Sequence, residues 1–116
     1  ELCEVRLITD ANYPWLILVP QRDNVREIHR LSVEDQALLT REISFVAENL
    51  EELTGAVKMN VAALGNMVPQ LHIHIVARFE SDAAWPGPIW GAVPQKAYTE
   101  GGLADLLTTI RGALAP

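Results

Sequence analysis

Two histidines and a glutamine, Gln70, His72 and His74, occur at alternate positions in the stretch Gln70-Leu71-His72-Ile73-His74-Ile75-Val76-Ala77-Arg78. Leu71, Ile73, Ile75 and Ala77 alternate with them, and a period of two is the pattern of a β-strand with two different faces. One face is wholly apolar and is expected to enter a core. The other carries an amide and two imidazoles about 7 Å apart along the strand. A neutral imidazole is a good nucleophile with a pKa near working pH. If a hydrogen bond holds one ring nitrogen, the other is free to attack, and a neighbouring histidine can supply a proton or bind an oxyanion. The nearby Gly65-Asn66 can offer backbone N–H and amide donors to a phosphate. This set suits attack on a phosphorus centre without a metal.

Two other readings of the pair stand beside that one. His72 and His74 can be residues of a solvated sheet face, or a His-x-His pair can supply two metal ligands. A metal needs further ligands, and the remaining histidine, His29, lies in a polar stretch that reads as surface. Glu80 follows His74 by six residues, too far for a His-x-His…Glu set. We therefore expect no metal and no other cofactor.

The surrounding elements follow from pattern. Leu2 to Thr9 reads as a strand, Asp10-Ala11-Asn12-Tyr13-Pro14 as a turn and Trp15 to Val19 as a second strand ended by Pro20, together an antiparallel hairpin. Val25 to Arg30 fits a short helical turn. Ser32 can cap a helix whose first turn holds Glu34 and Asp35. Leu39, Ile43, Val46, Leu50 and Leu53 form its apolar stripe. Gly55 is a suitable stop, so a helix is expected over 33–53. Val57 to Ala63 has strand character and Leu64 to Pro69 links it to the histidine strand. Trp85-Pro86-Gly87-Pro88-Ile89-Trp90-Gly91 should be irregular. Leu103, Leu106, Leu107, Ile110 and Leu114 predict a helix over 101–114. The fold class is α+β, an antiparallel sheet with helices packed on it.

The whole chain bounds the function classes. Its 116 residues make one domain, 1–116, and 49% apolar with 21% charged residues is ordinary for a globular protein. The net charge of −6 argues against a general nucleic-acid or anionic-membrane binder, since either needs a basic field. No apolar run approaches the roughly 18 residues of a membrane span. The single cysteine, Cys3, cannot form an internal disulfide, which fits a reducing, cytoplasmic setting. The chain starts at Glu1 directly in a strand pattern, so further residues are expected to precede it.

Gln70-Leu71-His72-Ile73-His74-Ile75-Val76 resembles the motif of the histidine triad (HIT) family, His-φ-His-φ-His-φ-φ with φ apolar. Leu16-Ile17-Leu18-Val19-Pro20, Leu31-Ser32, Asn60, Gly65-Asn66 and Trp85-Pro86-Gly87 are similar to other parts of that family, in order, over about residues 2–91. The resemblance implies a homodimeric α+β nucleotide hydrolase or transferase acting at the α-phosphorus. By it, His72 is the nucleophile and forms a nucleotidyl-histidine, and His74 orders the ring and the phosphate oxygens. Asn60, Gly65 and Asn66 match ribose- or phosphate-binding positions, and Trp85 a position on the leaving-group side. Two positions depart from the pattern. Gln70 replaces the first histidine and can hydrogen-bond but carries no charge. Met67 stands where a Ser or Thr commonly helps with phosphate. A nucleotide-binding module with weak or lost catalysis is the alternative. If His72 is a nucleophile it must face an open cleft near Asn60 with Leu71 and Ile73 buried, and helix 33–53 or the strand before His72 should form the dimer contact.

Overall fold

A computed structural model describes residues 1–115, which form an α+β arrangement of four strands and two helices. Its strands are β1 (Cys3–Leu7), β2 (Trp15–Pro20), β3 (Lys58–Ala62) and β4 (Ile73–Arg78); its helices are α1 (Val33–Thr54) and α2 (Glu100–Leu114). The sheet is antiparallel throughout, in the order β1-β2-β4-β3. This is the expected fold class.

Helix α1 begins and ends where its sequence signals fall. The Ser32 side chain accepts from the Asp35 N–H, and Gly55 closes the helix in the left-handed region (φ 70°), which costs glycine no Cβ clash. Leu39, Val46 and Leu50 of its stripe enter the core with Leu16, Leu18, Ile73, Ile75 and Ala77 of the sheet and Ile110 of α2. Both carboxylate oxygens of Glu42, on α1, accept the N–H groups of Leu2 and Cys3 and tie the start of β1 to the helix. Burial, reinforced by Glu42, pushes the Cys3 thiol up to about 12, so this cysteine is an inert packing residue.

Four local expectations change, one of them the strand read over Val57 to Ala63, which spans Lys58–Ala62. The histidine strand was expected from Gln70 but begins at Ile73, because the Leu71 N–H is taken by the Val25 carbonyl of the preceding loop (2.9 Å) and not by a strand. The helical turn expected over 25–30 is a single 3₁₀ turn, Ile28–Arg30. The first strand is shorter than Leu2 to Thr9 at both ends.

The register sets the two faces of the sheet. Arg6 lies opposite Ile17, and Ile17 opposite His74, which also faces Ala62; one step along, Trp15 lies opposite Val76 and Val76 opposite Asn60. Residues directly opposite share a face, so Arg6, Ile17, His74, Trp15, Val76 and Asn60 lie on the side away from α1. The alternation read from sequence is correct for Leu71, Ile73, Ile75 and Ala77, all buried. The opposite face, however, is only half open. Tyr13 and Ile89 cover Val76, with Trp15 and Trp90 packed alongside, and the loop after β4 folds back over Arg78.

Candidate active site

The open half of that face carries the histidines. His72 and His74 line a cleft of about 610 Å³ together with Gly65, Asn66, Met67, Trp15, Ile89, Trp90 and Asp10. They also line a second groove of about 390 Å³ that runs over β1 and β2 past Ile17, Val19 and Arg6, with Gln70 at its edge. The pair therefore sits on the saddle between two grooves.

His72 is half-buried, and its Nδ1 lies 2.7 Å from the backbone carbonyl oxygen of Gln70. A carbonyl only accepts, so Nδ1 carries the proton and donates. The Nε2 lone pair is then free. His74 is 7% exposed, and the Trp15 indole Nε1–H donates to its Nδ1 at 3.0 Å. Its ring is boxed by His72, Trp90 and Trp15, with ring centroids 5.0, 5.3 and 5.7 Å away. Burial, with the neighbouring His72 as a lesser cause, lowers the His74 pKa to about 4. At neutral pH it is an uncharged imidazole with its proton on Nε2. One ring thus offers a lone pair and the other an N–H.

The loop Leu64 to Pro69 forms one wall. Gly65 takes φ 75°, which a side chain would strain. Met67 is 94% exposed at the cleft. The Gln70 side chain does not turn toward the histidines; its Nε2 donates to the Arg22 carbonyl at 3.3 Å. The contribution of this residue next to His72 is its backbone carbonyl.

The opposite wall rests on a buried ion pair. Arg78, 2% exposed, donates from Nε to Asp82 Oδ2 (2.7 Å), from Nη1 to Asn60 Oδ1 (2.7 Å) and from Nη2 to the Gly87 carbonyl (2.8 Å). Its guanidinium lies against the rings of Trp85 and Tyr13, 5.7 and 5.9 Å from their centres. Asp82 also accepts the N–H groups of Phe79, Ala84 and Trp85. Burial alone would raise the Asp82 carboxyl, but the Arg78 and backbone hydrogen bonds outweigh it and hold the pKa at about 2. Farther along, Asp10 accepts the Asn12 and Lys96 N–H groups, and Asn12 Nδ2 donates to the Pro94 carbonyl, which pins the segment bearing Val93 and Gln95 to the cleft rim.

Of the residues singled out from sequence, Gly65, Asn66, His72 and His74 converge on the cleft and Gln70 borders the adjoining groove. Asn60 and Trp85 do not line either one; both are engaged by Arg78. Sequence reasoning missed Trp15, Trp90, Asp10 and Arg78. Trp15 shares a β2 face with Ile17, but only the pairing of β2 with β4 reveals that this is the face of His74.

Among the described residues no group of three or more His, Cys, Asp or Glu is placed to hold a metal, and no helix is long and apolar enough to cross a membrane. A search among curated proteins found no match. Among solved structures, a histidine triad protein from Bradyrhizobium japonicum is similar at 47% identity and a TM-score of 0.95, over 97% of this chain and 84% of that one. A histidine triad protein from Marinobacter aquaeolei VT8 is 48% identical with a TM-score of 0.95, over 98% of this chain and 83% of that one. A hypothetical histidine triad nucleotide-binding protein from Sulfolobus tokodaii strain7 shares the fold at 16% identity, with a TM-score of 0.72 over 97% of this chain and 78% of that one. The family model of the HIT domain matches residues 1–81. With that match and these structures, the chain belongs to the histidine triad family.

Proposed function

We propose that the protein binds a nucleotide across the His72–His74 saddle and cleaves it at the α-phosphorus, as a hydrolase or transferase. The observation that carries this reading is the hydrogen bond from His72 Nδ1 to the Gln70 carbonyl, which leaves Nε2 as the nucleophile. In the first step Nε2 attacks phosphorus and forms a P–N bond. The bond from phosphorus to the leaving group breaks with its electron pair, and the leaving group takes a proton from solvent. The imidazole of the nucleotidyl-histidine is then cationic, and its Nδ1–H bond to the carbonyl stabilises that charge. In the second step water or another acceptor attacks phosphorus and gives up a proton to solvent, and the P–N bond breaks with its electron pair returning to Nε2. His74, through Nε2–H, donates to a phosphoryl oxygen in both steps. Gly65 and Asn66 supply further donors, whereas Asn60 and Trp85 serve the reaction by holding Arg78 and the wall it supports.

A second reading has its own support. The Gln70 side chain points to Arg22, and the highly exposed Met67 offers the phosphate no donor. Losing one oxyanion donor costs about 10²–10³ in rate, so a nucleotide-binding module with weak turnover is the alternative. Release of AMP from an adenosine 5′-phosphoramidate, with a chelator present, separates the two. AMP release by the wild type that is lost in His72→Ala supports the enzyme. AMP binding by calorimetry without turnover supports the binding module.

The same reading includes a homodimer. β3 is an edge strand, and Leu53, Val57 and Val61 expose apolar surface beside it, with Phe45 exposed on α1. We assign the pairing surface to α1 and β3, since an open apolar strand edge invites a second copy.

A further inference from the structure

We propose that Trp15 is a positioning residue of the site: its indole N–H, by donating to His74 Nδ1, fixes the imidazole as the Nε2–H tautomer and keeps a proton donor available at the cleft. An indole N–H can only donate, so the nitrogen it meets at 3.0 Å must present a lone pair. A neutral imidazole with a free Nδ1 lone pair carries its hydrogen on Nε2. An imidazolium would set two N–H donors against each other at that distance, so Trp15 also resists charging of the ring. The contact is built by the sheet, because Trp15 and His74 lie on one face of the paired strands β2 and β4, diagonally across two steps of the register. Trp90 stands edge-on to both rings (89° to Trp15, 79° to His74) and limits their rotation.

The titratable and charged groups around His74 are His72 on its own strand, Arg6 from β1 and Asp10 from the turn before β2. His72 opposes a positive charge on His74, whereas Arg6 is already paired with Glu4 on the same face of β1. Asp10 favours that charge, but its carboxylate is already engaged by Asn12 and Lys96. Trp15 is the group that selects between the two neutral tautomers, which none of these charges does.

The proposal rests on the proposed chemistry only for its kinetic consequence, so its primary test needs no substrate. Nitrogen NMR of histidine-labelled protein reads the protonation of each ring nitrogen against pH. The wild type is expected to show His74 with Nδ1 bare and Nε2 protonated. In Trp15→Phe, which keeps an aromatic ring and loses the donor, the tautomers should mix and the titration midpoint should rise by about one pH unit. Trp15→His, whose imidazole Nε2 can reach the ring position of indole Nε1 but can either donate or accept, should hold the wild-type tautomer only in part. An unchanged tautomer and midpoint in Trp15→Phe overturns the proposal. If that variant does not fold, a wild-type spectrum with the His74 proton on Nδ1 overturns it instead. In the phosphoramidate assay, the acid limb of the pH profile of Trp15→Phe should move upward by the same interval with KM nearly unchanged. Absence of AMP release from all three proteins would sink the catalytic reading, and the NMR result would still decide the role of Trp15.

Discussion

At the scale of single residues, the fold gives two chemically identical side chains opposite hydrogen-bonding environments. His72 meets a carbonyl, which can only accept, and His74 meets an indole, which can only donate. The same imidazole therefore presents a lone pair in one case and an N–H in the other. The cost appears in stability. His74 is held neutral with a pKa near 4, below the value of about 6.5 expected when the chain unfolds. Between those values the unfolded state binds more protons, so this contribution to stability is present above pH 6.5 and lost as pH falls toward 4. Urea denaturation at steps from pH 7 to pH 4.5 should show falling stability in the wild type and a flatter dependence in His74→Gln. Equal slopes would mean that the ring is not held neutral.

At the scale of elements, the loop after β4 converts a sheet face into a cleft. Without it, Val76 and Arg78 would be the solvent-facing residues that strand alternation suggests. Asp82 gathers Arg78 and three backbone N–H groups, and Arg78 gathers Asn60 and Gly87. Removing one member of such a pair leaves a buried charge unmatched, so Asp82→Ala should cost about 3–5 kcal/mol. Thermal or urea unfolding checks this, and a loss below about 1 kcal/mol would show that the pair is replaceable by solvent. The element boundaries follow a related rule. Helix α1 was legible because Ser32, the apolar stripe and Gly55 are local signals. The start of β4 was not, because a loop carbonyl at Val25, far away in sequence, takes the Leu71 N–H.

At the scale of the whole molecule, four strands and two helices place one wholly apolar face of the sheet against α1 and α2 and leave the His72–His74 face half open. That division leaves β3 unpaired on its outer edge, beside exposed Leu53, Val57 and Val61. Sedimentation equilibrium should give the mass of two chains, and Val61→Lys, which places a charge on that edge, should shift the equilibrium toward monomer. A monomer for the unaltered chain at tens of micromolar would remove the dimer from the proposed function. An unchanged dimer in Val61→Lys would move the contact away from β3.

The class of fold, the helix spans to within a residue, the apolar set Leu71, Ile73, Ile75 and Ala77, and the prominence of the histidine pair were legible along the chain. These are set by periodicity and by caps, which act over a few residues of chain. What His74 touches follows from contacts between segments distant in sequence. Trp15 and His74 are 59 positions apart, and their contact exists only because β2 pairs with β4 in one register. The sequence likewise carried Asn60 and Trp85 as candidate ligand contacts, and the fold engages both with Arg78. A side chain's hydrogen-bonding role depends on the partner that the fold delivers to it, and pairing between strands as distant in sequence as β2 and β4 has no turn between them to announce it.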